Sequence, residues 1–333
     1  MNSETVLVTG ATGMLGRMVL DKLIPAGFKI IVLIEPSQWH SIELPKEISL
    51  LKGDIRRPET YRDTLKTCTY VIHIAASTQV YPRRNANCYN INTEAVKLLA
   101  EEVLQSSVKR LVHIGTASSF GSGTKTTLRS ELSDFNLAAY GMDYINSKQQ
   151  AQSYLLQLHS QRQLPVIIIN PTFMIGPYDR IPSSGRMLKT LLSGSLPGYT
   201  YGGRSFVYSG DVAEAIVNAL TQGRNGQCYI TGGENLSYKD FFTLACTLYN
   251  KPFTLKRIPL GLTHILGFLS SAWARVVQKP PLLSYGVSLL AGKYQFYSSA
   301  KATAELNYKI TPLSNAIKES VDWMVKHNVF KIQ

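Results

Sequence analysis

Apolar residues in the first 175 positions gather into short, nearly unbroken runs: Val6–Val8, Ile30–Ile34, Ile48–Leu51, Val71–Ile74, Leu111–Ile114 and Val166–Ile169. Runs this short, and this rich in Val and Ile, read as strands buried on both faces of a parallel sheet. Between them lie stretches with helical spacing, such as 92–106 and 144–159. The alternation predicts an α/β protein with a doubly wound parallel sheet. After Pro177 the rhythm breaks: Gly, Pro, Ser and Tyr become frequent through 176–210, and shorter helices are expected near 211–222 and 237–249. Residues 260–277 bring Leu262, Ile265, Leu266, Leu269, Trp273, Val276 and Val277 to one face of a helix. That stripe fits a helix packed into a core, and equally a lid over an apolar ligand or a contact with a membrane surface. No internal repeat or low-complexity segment interrupts the pattern.

Composition narrows the class. A chain of 333 residues with 44% hydrophobic content can bury a sizeable core, as one large domain or as a domain with a smaller lobe. Cys68, Cys88, Cys228 and Cys246 form no CxxC pair, so neither a disulfide framework nor a metal site is expected, and a reducing, cytoplasmic setting fits. The chain enters a strand almost at once, without the basic and apolar regions of a signal peptide. No apolar run reaches the roughly 18–20 residues of a membrane span. The net charge of +13 is uneven: residues 251–333 carry eleven Lys/Arg against Glu305, Glu319 and Asp322. A basic face attracts phosphates, acidic small molecules or anionic lipid, or is simply solvated surface. Without a dense Lys/Arg block interleaved with aromatics, a nucleic-acid partner is not expected.

Thr9-Gly10-Ala11-Thr12-Gly13-Met14-Leu15-Gly16 follows the first strand and opens a helix. Gly10 allows a tight turn, Gly13 lets a pyrophosphate approach the backbone, and Gly16 lets helix and strand pack closely. The helix N-terminus presents free N–H groups to the phosphates. Glu35 ends the second strand, where a carboxylate can accept hydrogen bonds from ribose hydroxyls and would repel a 2′-phosphate; a plain surface glutamate is the alternative. Asp54-Ile55 follows the third strand and either frames an adenine or makes an ordinary turn.

Tyr144-Ile-Asn-Ser-Lys148 places a phenol and an ammonium on one helix face. A nearby cation lowers a tyrosine pKa from about 10, which suits proton exchange near neutrality. Tyr297 and Lys301 share the spacing but lie beyond the expected sheet. Thr116, at the end of the fifth strand, offers a hydroxyl at the edge where such sheets bind ligands, with Ser118 and Ser119 as competitors. Asn90 either supports the Lys148 site or a ribose, or caps the helix near residue 92.

Together these motifs resemble the extended short-chain dehydrogenase/reductase family, in the epimerase/dehydratase superfamily. TGxxGxxG at 9–16, Asp54, Val71-Ile-His-Ile-Ala-Ala76, Asn90-Ile-Asn-Thr, Thr116 and YxxxK at 144 occur in its order, and Phe206–Ala213 and Lys301–Tyr308 resemble its later segments. The resemblance implies a Rossmann-type domain over 1–175 and a smaller substrate lobe over 176–333, some segments of which return to the first domain. It implies Thr116, Tyr144 and Lys148 as catalytic residues, with Tyr144 as acid/base. A dinucleotide would contact Gly10, Thr12, Gly13, Met14, Leu15, Gly16, Glu35, Asp54, Ile55, Ala75, Ala76, Asn90, Asn170, Pro171 and Phe173, besides Tyr144 and Lys148. Substrate would meet Ser77, Ser118, Phe173 and Arg204. Asn170-Pro-Thr-Phe-Met-Ile-Gly-Pro177 is similar to the dihydroflavonol-reductase-like and 3β-hydroxysteroid-dehydrogenase-like branch, whereas Arg204 matches a diphosphate-binding arginine of the sugar-nucleotide epimerases. The implied activity is carbonyl–alcohol interconversion on a hydrophobic small molecule. NAD(H) is preferred on account of Glu35, with NADP(H) as the other option. Alternatives are a nucleotide-sugar epimerase or dehydratase and a non-catalytic dinucleotide-binding module. A homodimer through the helices flanking Tyr144 is implied by the resemblance alone.

Overall fold

The structure, a computed structural model, describes residues 4–39, 44–180, 184–281 and 283–330. Its strands are β1 (Thr5–Thr9), β2 (Lys29–Ile34), β3 (Ser49–Lys52), β4 (Tyr70–His73), β5 (Arg110–Ile114), β6 (Val166–Pro171), β7 (Phe173–Ile175), β8 (Gly203–Tyr208), β9 (Gln227–Thr231), β10 (Glu234–Ser237) and β11 (Tyr294–Gln295). Seven of them form a parallel sheet in the order β3-β2-β1-β4-β5-β6-β9. Each apolar run expected as a strand is one. Val8 pairs with Val32 on one side and Ile72 on the other, so β1 lies at the centre and is buried on both faces. The strand order reverses beside β1. A crevice at the carboxyl ends of β1 and β4 is therefore the topological place for a ligand.

Two apolar layers cover the sheet. On one face the helix Met14–Leu23 buries Leu15, Met18, Val19, Leu20 and Leu23, and it packs against the helix Ser209–Asn218. On the other the helices Ala95–Leu104 and Asp143–Arg162 contribute Val96, Leu99, Ala151 and Leu155. Both β9 and the Ser209–Asn218 helix come from beyond residue 176, yet they belong to this first sheet. A second, smaller sheet is built around β8, which pairs with β7 and β11 in parallel and with β10 antiparallel. Its own core stacks Phe206 on Phe241 at 4.0 Å.

Three expectations need correction. The helix expected from 92 is continuous with a short helix over Ala86–Tyr89 through a π-helical turn at Asn90–Glu94, so Asn90 caps nothing; the N-cap is Asn85, whose side chain accepts from the Asn87 amide. The helix Leu260–Val277 forms as expected, but its large apolar residues face outward and it packs inward through Thr263, Gly267, Ser271 and Ala274. It is neither a core helix nor a lid closed by Leu262, Leu266, Leu269 and Trp273. It is also long and apolar enough, by length and composition, to cross a membrane, contrary to the reading of the run-lengths.

Candidate active site

At the mouth of the crevice Gly10 takes φ +73, and a Cβ there would sit 2.5 Å from the Ala75 nitrogen. Gly16 is equally constrained, since its Cβ would meet the Gly10 carbonyl oxygen at 2.2 Å. Gly13 differs: the nearest atom to its missing Cβ is 3.7 Å away. That opening lies over the N-terminus of the Met14–Leu23 helix, where no side chain caps the first N–H groups. An oriented, uncapped helix end beside an open glycine is a cradle for phosphate oxygens. Thr9 fixes the turn to the next strand through its hydroxyl, which meets His73 Nδ1 at 2.7 Å and accepts from the Ala75 amide at 3.2 Å. Leu15 is buried in the core, whereas Thr12 is exposed and donates to Gln38 Oε1 at 3.1 Å.

A hollow of about 360 Å³ follows, lined by Glu35, Pro36, Ser37, Lys52, Asp54 and Arg57 among others. Arg56 spans its acidic side, donating to Asp54 at 2.6 and 2.9 Å and to Glu35 at 3.3 Å. Hydrogen bonding from Arg56 holds the Asp54 carboxyl below its ordinary value. Sequence reasoning placed Glu35 and Asp54 here but missed Arg56. Ile55 is buried beneath the hollow in the second core layer.

Tyr144 and Lys148 stand one turn apart on the Asp143–Arg162 helix. Burial pushes the Tyr144 phenol up, and a hydrogen bond with Thr116 works against that shift. The expected lowering by Lys148 is not what governs it, because the Lys148 ammonium is directed to the Ile114 carbonyl oxygen at 2.7 Å. Burial brings Lys148 down to about 8. Below this pair, Asn170 is fully buried and donates to the Thr116 carbonyl at 3.1 Å and to Gln152 at 2.7 Å. It braces Thr116 from inside the sheet, with Pro171 buried beside it. Asn90 is exposed; the residue that ties the crevice together is Asn92. Asn92 donates to the Ser77 carbonyl at 2.9 Å and to Ser147 Oγ at 3.1 Å, and it accepts from the Ser77 amide at 2.8 Å. The signal available in the sequence was the short polar cluster Asn90-Ile-Asn-Thr93 at the start of the helix, whose Asn92 side chain the fold buries and must therefore partner.

Across from Tyr144 lies an aromatic wall. Phe173 packs edge-on against Phe206 at 5.5 Å, and the Arg204 guanidinium stands over its ring at 5.1 Å. Arg204 also donates to the Tyr238 hydroxyl at 3.1 Å, and its charge reaches Tyr144. Ser118 accepts from Gln295 at 3.3 Å. The second YxxxK pair is structural: Tyr297 is buried and donates to the Gly121 carbonyl at 2.6 Å, while Lys301 donates to Gln227 at 2.7 Å.

Near the Asp143–Arg162 helix two imidazoles, His73 and His113, stack at 5.4 Å and are fully buried. Burial, reinforced by the Lys148 charge, holds His73 down to about 3 and His113 well below its ordinary value. Both are neutral in the folded chain. The unfolded chain binds a proton on each below about 6.5, so folded stability is complete above that pH and falls as pH drops toward 3. His73 contributes a loss of about 1.4 kcal/mol per pH unit in this window, and His113 acts in the same direction. Denaturant unfolding at pH 7 and pH 5 is expected to show this decline; equal stability at both would refute it.

Comparison with known proteins accords with this geometry. A family model described as the NAD dependent epimerase/dehydratase family matches residues 6–232. The sterol demethylase protein B of Methylococcus capsulatus is 25% identical over 96% of this chain and 98% of its own length. The UDP-glucose 4-epimerase of Vibrio cholerae is 24% identical over 80% of this chain and 82% of its own. The crystal structure of gox2253 superposes with a TM-score of 0.86 at 27% identity, covering 99% of this chain and 100% of that one. The chain belongs to the NAD dependent epimerase/dehydratase family, as an NAD(P)-dependent enzyme of the short-chain dehydrogenase/reductase type. The open cradle at Gly13 and the uncapped helix end fit the pyrophosphate of such a dinucleotide.

Proposed function

We propose that this enzyme interconverts a carbonyl and an alcohol on a hydrophobic small molecule, with NAD(H) as the preferred coenzyme. The observation that carries the reading is Tyr144 held near the Thr116 hydroxyl, with the charge of Arg204, whose guanidinium stands over Phe173, reaching its phenol. The nicotinamide, when bound, supplies or accepts the hydride at the substrate carbon. Tyr144 exchanges the proton on the substrate oxygen, and Thr116 hydrogen-bonds the same oxygen and keeps it in line. Lys148, cationic at neutral pH, turns from the Ile114 carbonyl to the ribose hydroxyls and favours the phenolate as the proton leaves. Phe173 presents an apolar wall, which rewards buried carbon surface at about 25 cal/mol per Å² and leaves sugar hydroxyls without partners. Similarity to the sterol demethylase protein B supports a large apolar substrate.

For the coenzyme, Glu35 and Asp54 both accept from Arg56, so that guanidinium is already engaged by two carboxylates rather than held open for a 2′-phosphate. Lys52 and Arg57 line the same hollow and keep NADP(H) as the second choice. A homodimer through the helices Ala95–Leu104 and Asp143–Arg162 belongs to the same reading, supported by the exposed Leu98.

A second reading, a nucleotide-sugar epimerase or dehydratase, is favoured by Arg204 and by the likeness to the Vibrio epimerase. One screen separates the two. Aromatic, steroid-like and acyl ketones are offered beside UDP- and dTDP-sugars, with NADH and with NADPH, and coenzyme oxidation is followed. Net NADH consumption with apolar ketones is expected. Binding of nucleotide sugars alone, dependent on Arg204 and without net coenzyme turnover, would replace the oxidoreductase with the epimerase.

A further inference from the structure

The helix Leu260–Val277 shows its small residues to the protein and its large ones to solvent. Ile265, Phe268, Leu269, Trp273 and Val276 are exposed, Trp273 by 67% and Val276 by 74%. Aromatic and aliphatic side chains gathered on one uncovered helix face form the kind of apolar patch that marks an interaction or membrane-contact site. The charged residues of the segment that carries this helix are of one sign. Residues 241–304 contain no Asp or Glu, but they contain Lys251, Lys256, Arg257, Arg275, Lys279 and two further lysines. Lys256 and Arg257 precede the helix; Arg275 and Lys279 lie at its other end, and all four are exposed. At its base, Arg83, Arg84 and Arg275 line a cavity of about 160 Å³ with Tyr81 and Tyr285. Arg84 is paired with Asp143, whereas Arg275 has no ion pair among the described residues.

We propose that this helix is a membrane-surface anchor: it lies in the interface of an anionic bilayer, with its apolar face in the acyl boundary and the flanking cations on lipid phosphates. Its pattern is that of an interfacial helix, in which basic residues reach up to headgroups and a tryptophan sits at the boundary. It does not span. The chain returns through Tyr285–Leu289, which packs on the same helix with Gly267 against Ser288, and continues into β11 on β8. Both ends are thereby held to one body, and crossing would strip the Thr263–Ala274 face from its partner. A second copy fits less well, because a two-fold contact through this face would set its uniformly basic surroundings against themselves.

The test is co-sedimentation of the whole chain with vesicles of phosphatidylglycerol and phosphatidylcholine, compared with phosphatidylcholine alone. Binding is expected to be at least about 10-fold stronger to the anionic vesicles and to weaken with salt. Brominated acyl chains are expected to quench Trp273, an effect lost in Trp273→Phe. Leu269→Glu, at an exposed position, is expected to abolish binding and leave the melting temperature unchanged. Lys256→Ser with Lys279→Ser is expected to remove the lipid-charge preference while keeping the fold. Equal binding to neutral and anionic vesicles, no quenching of Trp273, or unimpaired binding by Leu269→Glu would each overturn the proposal. So would self-association that Leu269→Glu disperses without any vesicle binding. Protein extractable only by detergent would show a span instead.

Discussion

Replacing Tyr144 by Phe is expected to lower turnover at least about 100-fold, the ordinary scale of lost general-acid help, while dinucleotide affinity stays nearly unchanged. The change removes one oxygen from a site already shaped by its surroundings. Leu137, Met142, Ile145 and Leu290 pack around Tyr144, so the ring of Phe keeps the same seat. What it loses is the hydroxyl that stands near the Thr116 hydroxyl and would meet the substrate oxygen. Tyr297→Phe is the control. Its hydroxyl donates to the Gly121 carbonyl, so that variant is expected to lose about 1 kcal/mol of stability and to keep its turnover. Turnover on the ketone selected by the screen, with a dissociation constant for NADH beside it, decides the matter. Full activity in Tyr144→Phe would end its role as proton donor.

The second large effect is expected at Gly13. Its backbone is at φ −81 and its missing Cβ has no neighbour closer than 3.7 Å, so Gly13→Asp fits the fold without strain. The new carboxylate would occupy the cradle over the helix end. Two like charges 4 Å apart repel by about 4 kcal/mol at an effective dielectric of 20. Dinucleotide affinity is therefore expected to fall at least about 100-fold while the melting temperature of the unliganded protein holds. Calorimetric titration with NADH, together with a thermal scan, measures both. Gly16→Ala gives the contrasting result, since its Cβ would press on the Gly10 carbonyl and disturb the turn itself. Unchanged NADH affinity in Gly13→Asp would mean that the phosphates bind elsewhere.

The six strands of the first half are legible because each carries a nearly continuous apolar run, a local feature that marks even β3, an edge strand whose residues are mostly exposed. The glycine turn is legible because its spacing lies within eight residues, although the Ala75 backbone that closes on Gly10 comes from beyond β4. Gln227–Thr231 is not, because a five-residue segment holding Gln, Cys and Thr carries little periodicity, and only the sheet shows that it pairs with β6. The sign of the Tyr144 shift is hidden because it depends on burial by elements that meet only in the fold, and on where the Lys148 ammonium points. Periodicity gave residues 260–277 a helix with an apolar stripe, but it could not say which face packs. The answer lies in the opposite stripe, where Gly267, Ser271 and Ala274 permit a close helix contact that large side chains would prevent. Arg56 and Asn92 escaped notice because their importance comes from partners on other elements.

The return of β9 and the Ser209–Asn218 helix to the first sheet also sets an order on synthesis. When residue 175 has left the ribosome, every strand around the glycine turn exists, but β6 is an open edge carrying Ile167, Ile168 and Ile169. The face of the Met14–Leu23 helix that packs against Ser209–Asn218 is bare as well. Such an edge is a template for pairing with another nascent chain. The nucleotide-binding half thus waits for about fifty more residues before it closes, a delay of several seconds at ribosomal speeds of roughly 5–20 residues per second. A gene split after residue 175 would release a fragment that holds the whole glycine turn and lacks the strand that covers its open edge.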